Sequence, residues 1–255
     1  MINFYRRLRK KMADDNRPLK PAWPAGRYMR YAIGEIVLVV VGILIALQIN
    51  NWNENRKLQT TKHIYLEQLL ADFEADKDYA NSAIISLDSS IVKYNKYNEI
   101  FKVPNLPLES ILIKIGDNSF TTLDLEFKTS TIKSLINTGD IRLFDPLLAQ
   151  TLAYYEGIKS QTLMHTDLNY DNARNILESA GMEGAISLGL ERFNNQPELA
   201  RVTEIENRLP NVFLKLEAYL NIKNFGDVQA VQELSQLIKV ADSTIVLIEE
   251  EIKKQ

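Results

Sequence analysis

The chain has 255 residues, a quarter of them charged, and a formal net charge of −3. This length suits one ordinary domain with an additional segment. The sequence holds no cysteine, which excludes disulfides, thiolate metal sites and thiol nucleophiles. Residues 1–30 carry a net charge of +7 and the remainder carries −10. Such asymmetry indicates either an arm that binds nucleic acid or the flank of a membrane segment.

An uninterrupted apolar segment follows the basic arm. Residues 31–49 read YAIGEIVLVVVGILIALQI, with one charge at Glu35. A helix of this length rises about 28 Å, close to the thickness of a hydrocarbon core. Tyr31 and Trp52 flank it, as expected for aromatic side chains at the two membrane interfaces. We therefore predict a transmembrane helix over residues 31–52, in preference to a cleaved signal peptide or a buried core segment.

The charges that flank the span predict its orientation. Nine Lys or Arg residues precede the span, whereas residues 50–80 hold four. Because positive charge is retained on the cytoplasmic side, we expect residues 1–30 to form a basic cytoplasmic arm and the C-terminal part to be periplasmic. Anionic lipid head groups are the expected contact of this arm, and nucleic acid is not an expected partner.

One face of the predicted span combines a carboxylate with small residues. Glu35, Gly42, Ala46 and Ile49 recur at helical steps of seven, four and three. The pair Gly42 and Ala46 has the small-xxx-small spacing that lets two membrane helices approach closely. We predict that this face mediates helix association, either between copies of this chain or with other membrane proteins.

The span is expected to lead into a long stalk helix. Residues 43–103 contain no Gly or Pro, and apolar residues recur at steps of three, four and seven. We predict a juxtamembrane stalk over residues 53–103 that continues the associating face of the span through Leu70, Ile84 and Ile91. Packing of this helix on its own domain is an equal alternative, because the stripe lacks the dense Leu/Ile core of a long coiled coil.

Residues 104–255 are predicted to form a periplasmic helical domain packed on the stalk. Asp145 and Pro146 suit the N-cap and first position of a helix. Residues 108–116 fit either a helix or a strand. The remaining expectations are a helix over 123–137, a turn at 138–140, a helix from Pro146 to Ala180, a loop with a short helix over 181–207, and two helices near 211–222 and 227–253.

Residues that could support catalysis are scattered. No P-loop, dinucleotide-binding, zinc-protease or serine-hydrolase motif is present, and the two histidines, His63 and His165, are far apart. We therefore expect no enzymatic activity, no cofactor and no metal. Asp140 and Arg142 bracket a turn and are candidate partner contacts, although a structural role in the turn is the simpler interpretation.

Two stretches resemble a known family. Gly34–Glu54, which reads GEIVLVVVGILIALQINNWNE, is similar to uncharacterised single-span membrane proteins of Flavobacteria and related Bacteroidota, a domain of unknown function. Ser134–Phe144 is similar to the middle part of the same family. The resemblance implies a bacterial inner-membrane location and a helical periplasmic part, and it implies no activity.

Together these features predict an all-α bitopic protein that acts in assembly or protein interaction at the cell envelope, as a homo-oligomer. The first alternative is a periplasmic sensor that binds a small ligand and signals through a partner. The second is a ring-forming channel or ion-coupled subunit that uses Glu35, since ionisable groups inside spans are often functional.

Overall fold

The computed structural model describes residues 24–184, 193 and 195–254, with side chains from residue 28 onward. The chain divides into two compact units, Met1–Leu58 and Gln59–Gln255. No strand occurs among the described residues, and the predicted all-α fold class is confirmed. The predicted arm lies outside the described residues as far as residue 23.

Helix α1 spans Pro24–Asn98 and is followed by a 3₁₀ turn, Glu99–Lys102. Its length agrees with the absence of Gly and Pro from residues 43–103, because those residues most often end a helix. Residues 59–98 of α1 belong to the same unit as the C-terminal helices.

Five further α-helices are described in the second unit. They are α2 (Leu108–Ile115), α3 (Thr131–Thr138), α4 (Pro146–Met182), α5 (Pro197–Thr203) and α6 (Ile205–Lys253). A 3₁₀ turn, Asp140–Leu143, joins α3 to α4. The Asp145 carboxylate caps α4 by accepting a hydrogen bond of 3.0 Å from the Leu147 amide, as predicted. Residues 108–116, which fitted a helix or a strand, therefore resolve to helix α2.

Residues 59–98 of α1 pack with α4 and α6 as a three-helix bundle. Leu66 lies in one buried cluster with Leu148, whereas Tyr97 lies in another with Ala180, so α1 and α4 run in the same direction. Helix α6 runs the opposite way, because Lys62 near the start of the unit pairs with Glu251 at its end. The Phe73 and Tyr155 rings meet edge to face, 4.5 Å between centroids, at the first of these clusters.

The predicted helix over residues 123–137 is wrong in its first half. Residues 119–130 form neither a helix nor a strand, and only Thr131–Thr138 is helical. We call residues 119–130 the extended segment, because burial alternates along their middle part. Leu125 is buried between exposed Asp124 and Glu126, a period of two that suits an extended chain. Side chains of α1 replace the missing helical bonds, since the Tyr79 hydroxyl accepts from the Glu126 amide at 2.8 Å.

The two predicted C-terminal helices, 211–222 and 227–253, are one continuous helix. Lys223 and Asp227 lie one turn apart across the expected break and form a buried ion pair of 2.7 Å. Gly226 does not end the helix. A Cβ atom there would lie 3.1 Å from Cβ of Asn169 on α4, so the glycine allows the two helices to approach closely. Pro210 lies inside α6, near its start.

Candidate functional site

The first unit presents an apolar helical surface. Among the described residues, one helix is long and apolar enough to cross a membrane, and it lies near the N-terminus. No residue in its apolar window is buried. The side chains of Ile36, Val40, Leu44 and Leu47 all expose about half of their surface or more. A helix that is apolar on every side matches the requirement of a hydrocarbon core, where polar backbone groups are satisfied internally.

The predicted association face contains Glu35, Gly42, Ala46 and Ile49. All four residues are exposed and lie within about 60° of one another around the helix, by 100° per residue. A Cβ atom added to Gly42 would meet no atom within 4 Å, so its backbone is open to close approach. Among the described residues, no side chain buries any of these four positions.

Aromatic residues occur at the ends of the apolar stretch. Tyr31 and Trp52 expose 58% and 64% of their surface. The Arg56 guanidinium lies over the Trp52 ring, 5.9 Å from its centroid. Trp52 marks the end of the apolar segment, and a cationic side chain lies on its indole ring. This arrangement is typical of a membrane interface, where aromatic rings lie between the hydrocarbon core and water.

The face that the stalk was predicted to share with the span is engaged inside the second unit. Leu70 packs against the same buried cluster as Leu66 and Phe73, and Ile84 packs against the cluster around Leu87. The fully buried residues of this part of α1 are Leu66, Leu69, Phe73 and Ala80. The structure therefore supports the alternative in which residues 59–98 pack on their own domain.

Asp140 and Arg142 take structural roles in the turn before α4. Asp140 accepts hydrogen bonds from the Tyr65 hydroxyl at 3.1 Å and from the Thr138 hydroxyl at 3.0 Å. Its carboxylate raises the pKa of Tyr65, since it accepts the hydroxyl proton that ionisation would remove. Arg142 donates to the Gly139 carbonyl at 3.0 Å. Gly139 has a positive φ of 80°, which ends α3 in the left-handed conformation.

The centre of the bundle contains a cluster of buried charges that was not predicted from the sequence. The Asp76 carboxylate accepts hydrogen bonds from Lys159 at 3.2 Å, Tyr155 at 2.9 Å and Thr129 at 2.6 Å. Lys159 also lies 3.4 Å from Glu156. Asp76 thus joins α1, α4 and the extended segment through one carboxylate. Burial and the neighbouring Asp76 raise the pKa of Tyr155 well above its usual range.

A second buried ion pair links the same helices closer to the C-terminal end of α4. Lys223 donates to Asp227 at 2.7 Å and to the Ser90 hydroxyl at 2.6 Å, and the Tyr170 hydroxyl donates to Asp227 at 2.7 Å. Burial, with the nearby Asp227, raises the pKa of Tyr219 to about 12.

The inward stripe of α4 contained a signal for the first cluster. Steps of four and three from Leu148 pass through Leu152 and Tyr155 and reach Lys159, a charged residue at an inward position. In α1 the inward position is Asp76, not the neighbouring Lys77. A charged residue at the inward position of two separate helices is the pattern of a buried ion pair.

The second unit also has an open apolar cavity of about 1040 Å³. It lies between α2, α4 and α6, and its lining includes Leu112, Ile115, Phe120, Leu177 and Leu216. Arg174 and Glu178 supply its charged groups. Over the described part of the chain, no three His, Cys, Asp or Glu side chains are grouped to share a metal ion.

Comparison with known proteins supports the family expectation over part of the chain. Residues 35–125 match a family of unknown function, DUF6090. The matched region begins at Glu35 and ends within the extended segment at Leu125, so Ser134–Phe144 lies outside it. No curated protein and no solved structure matches the chain. The chain thus carries a DUF6090 domain of unknown function together with a helix that could span a membrane.

Proposed function

We propose that this protein is a bitopic membrane protein with a non-enzymatic role in assembly or protein interaction at the cell envelope, and that it self-associates through its span. The observation that carries the proposal is the open face of Glu35, Gly42, Ala46 and Ile49 on an exposed apolar helix. Small residues let helix backbones approach in lipid, and a carboxylate in a span is stabilised by a polar partner on a neighbouring helix.

The packing of the second unit supports the span as the association surface. The apolar stripe of residues 59–98 is used by α4 and α6, and Leu66 and Leu69 have no exposed surface. The stalk stripe is therefore not available to pair with another chain. Among the described residues, no atom lies within 4 Å of a Cβ added at Gly42.

The test is the mass of the full chain, purified in mild detergent, with and without bulky replacements. We expect a discrete oligomer that dissociates on Gly42→Leu with Ala46→Leu, because the added side chains separate the helices. Leu44→Phe is the matched control, since position 44 lies opposite Glu35 on the helix. An oligomer of unchanged mass in the double variant would contradict the proposal.

The proposed orientation places the C-terminal unit in the periplasm of a bacterial inner membrane, supported by the nine basic residues before the span. Because the chain has no cysteine, Asn95→Cys on exposed α1 surface creates a single reporter thiol. We expect a membrane-impermeant maleimide to label it in intact spheroplasts. Labelling only after lysis would place this unit in the cytoplasm.

The cavity at α2 favours ligand sensing as a second candidate function. Its volume of about 1040 Å³ is at the upper end of small-molecule sites, and its lining is mainly aliphatic. An uncharged apolar probe, N-phenyl-1-naphthylamine, should bind and raise the thermal midpoint of the full chain. Leu177→Trp, which fills the cavity, should abolish that shift. No shift in the unmodified chain would count against this candidate.

A further inference from the structure

The outer face of α4 carries no charge over most of its length. From Pro146 to Thr166 the exposed side chains are apolar, small or neutral, and none is Asp, Glu, Lys or Arg. The exposed residues after the proline are Leu147, Gln150, Ala153, Tyr154, Gly157, Ser160, Gln161 and Met164. A quarter of the whole chain is charged, so this neutral surface is a local exception.

The charges of this part of α4 point inward instead. Glu156 and Lys159 are its two ionic residues, and they are 7% and 4% exposed. The outer surface of residues 59–98 in α1 has the usual character, with exposed Glu67, Glu74 and Asp78. Single exposed apolar residues are ordinary, whereas a contiguous neutral face with large apolar side chains marks an interaction surface.

The spacing of this face is that of a helix that packs on another helix. Exposed residues recur at alternating steps of three and four, the a and d positions of a heptad, and we call this set the α4 seam. The α4 seam consists of Leu147, Gln150, Tyr154, Gly157, Gln161, Met164 and Leu168. Its four large apolar members, Leu147, Tyr154, Met164 and Leu168, expose 52–58% of their surface.

Gly157 lies at the middle of the α4 seam. A glycine inside a helix costs about 1 kcal/mol relative to alanine. A Cβ atom at this position would meet nothing within 4 Å, so no contact among the described residues requires the glycine. Gly226 differs, because there the adjacent helix explains the absence of a side chain. The missing side chain at 157 lets a second helix approach the backbone at the centre of the face.

We propose that the α4 seam packs against the α4 seam of a second copy of this chain, in parallel. A face without charge is electrostatically compatible with itself, whereas a charged partner would bury unpaired charge against it. In parallel register each position meets its own counterpart, so that Gln150 and Gln161 pair amide with amide. The α4 seam ends where charge returns, at Asp167 beside Leu168.

The parallel register rests on the proposed membrane anchor. Two copies held in one bilayer are both attached to their second unit at Leu58, and α4 runs in the same direction as residues 59–98. Four large side chains at about half exposure supply less than the roughly 800 Å² per partner of a standard interface. The pairing is therefore weak alone and becomes effective when the span holds two copies near each other.

Disulfide trapping tests the pairing in the full chain in native membranes. The chain has no cysteine, so Gln150→Cys, Gly157→Cys and Met164→Cys each give one thiol, at the d positions of the α4 seam. Mild oxidation should convert each variant to a disulfide-linked dimer, because facing d positions lie within disulfide reach. Exposed serines on the other two helices supply the controls, Ser89→Cys and Ser243→Cys, which should remain monomeric.

Three outcomes would overturn the pairing or its register. Equal crosslinking of the seam and control variants would show that the disulfides form by random collision and not by specific pairing of the α4 seam. Crosslinking at 157 without 150 and 164 would indicate antiparallel helices. Retention of the Gly157→Cys crosslink after Tyr154→Lys would also contradict it, because like charges would face each other across the seam. An unchanged thermal midpoint of this double variant would show that its fold is intact.

A repeat with Gly42→Leu and Ala46→Leu separates this inference from the proposed span association. Loss of seam crosslinks in that background alone would show that seam pairing depends on the span. Absent seam crosslinks in a chain that still forms the detergent oligomer would refute the α4 seam and leave the span proposal standing. Seam crosslinks that persist while that oligomer is lost would refute the span proposal instead.

Discussion

The two parts of helix α1 make opposite use of apolar residues. From Tyr31 to Leu58 every side chain is exposed, although the sequence of this part is the most apolar in the chain. From Gln59 to Asn98 apolar residues are fewer, and those on one stripe are buried against α4 and α6. The contrast shows that the angular distribution of hydrophobicity indicates which surroundings a helix requires.

We expect the largest effect from a substitution of Asp76, because its carboxylate holds the second part of α1 in the bundle. Asp76→Ala leaves Lys159 buried without its closest carboxylate and also removes the acceptor of Tyr155 and Thr129. We expect a loss of about 3–5 kcal/mol in the free energy of unfolding, measured by urea denaturation of the second unit in the detergent-solubilised chain. Asp78→Ala, an exposed neighbour, should change it by less than about 0.5 kcal/mol.

Two exposed valines of the same helix test whether the first part faces lipid and the second part faces water. Val40 and Val92 are 48% and 65% exposed. We expect Val40→Arg to reduce membrane integration, because an arginine at the centre of a span costs about 2.5–3.5 kcal/mol on insertion scales. Val92→Arg should leave both integration and unfolding unchanged. Membrane fractionation after carbonate washing measures the first effect, and equal retention of the two variants would contradict the span.

The buried tyrosines of the second unit predict a loss of stability in alkali. Burial raises the pKa values of Tyr97, Tyr155 and Tyr170, and that of Tyr219 to about 12. Their stabilising contribution is fully present below the unfolded pKa of about 10 and is lost as pH rises toward each folded pKa. Each buried tyrosine should lower the free energy of unfolding by about 1.4 kcal/mol per pH unit between its unfolded and its folded pKa.

Urea unfolding at pH 9, 10 and 11, followed by circular dichroism, measures this slope. Tyr219→Phe should make the slope shallower, and its hydroxyl has no hydrogen-bond partner among the described residues. Tyr154→Phe is the control, because Tyr154 is more than half exposed. An identical slope in all three proteins would contradict the assignment to buried tyrosines.

We expect the smallest effects from substitutions of two glycines inside helices of the second unit. Gly157→Ala should raise the free energy of unfolding of the dissociated protein by roughly 0.5–1 kcal/mol. The added methyl group would have no described atom within 4 Å, and alanine has a higher helix propensity than glycine. Gly226→Ala should destabilise it, because the methyl would lie 3.1 Å from Cβ of Asn169 and 3.3 Å from the Tyr170 ring. Thermal midpoints under dilute, dissociating conditions should therefore shift in opposite directions.

Local signals predicted those parts of the fold that depend on local chemistry. The cap at Asp145, the turn at Gly139 and the long α1 follow from residue types and spacing that act within one helical turn. The extended segment did not, since its amide groups are satisfied by α1, for example the Thr131 amide by Asp72 at 3.2 Å. Bonds between residues some sixty positions apart leave no local pattern to read.

The candidate sites divide in the same way. The face at Glu35, Gly42, Ala46 and Ile49 is a single-helix pattern and could be predicted from the sequence, although its role stays a prediction. The α4 seam could not, because its neutrality matters only once Glu156 and Lys159 are known to point inward. Which face of an amphipathic helix is outside depends on its neighbours.

The direction of α6 has a consequence for how the protein is made. Lys62 pairs with Glu251, 189 residues later in the chain. At 5–20 residues per second, a ribosome needs roughly ten to forty seconds to add the intervening chain. Until α6 is complete, Leu66 and Phe73 lack one of the two helices that cover them, because their buried cluster also contains Leu237, Ala241 and Ile248. The nascent chain thus exposes part of its apolar core until the last helix has been synthesised.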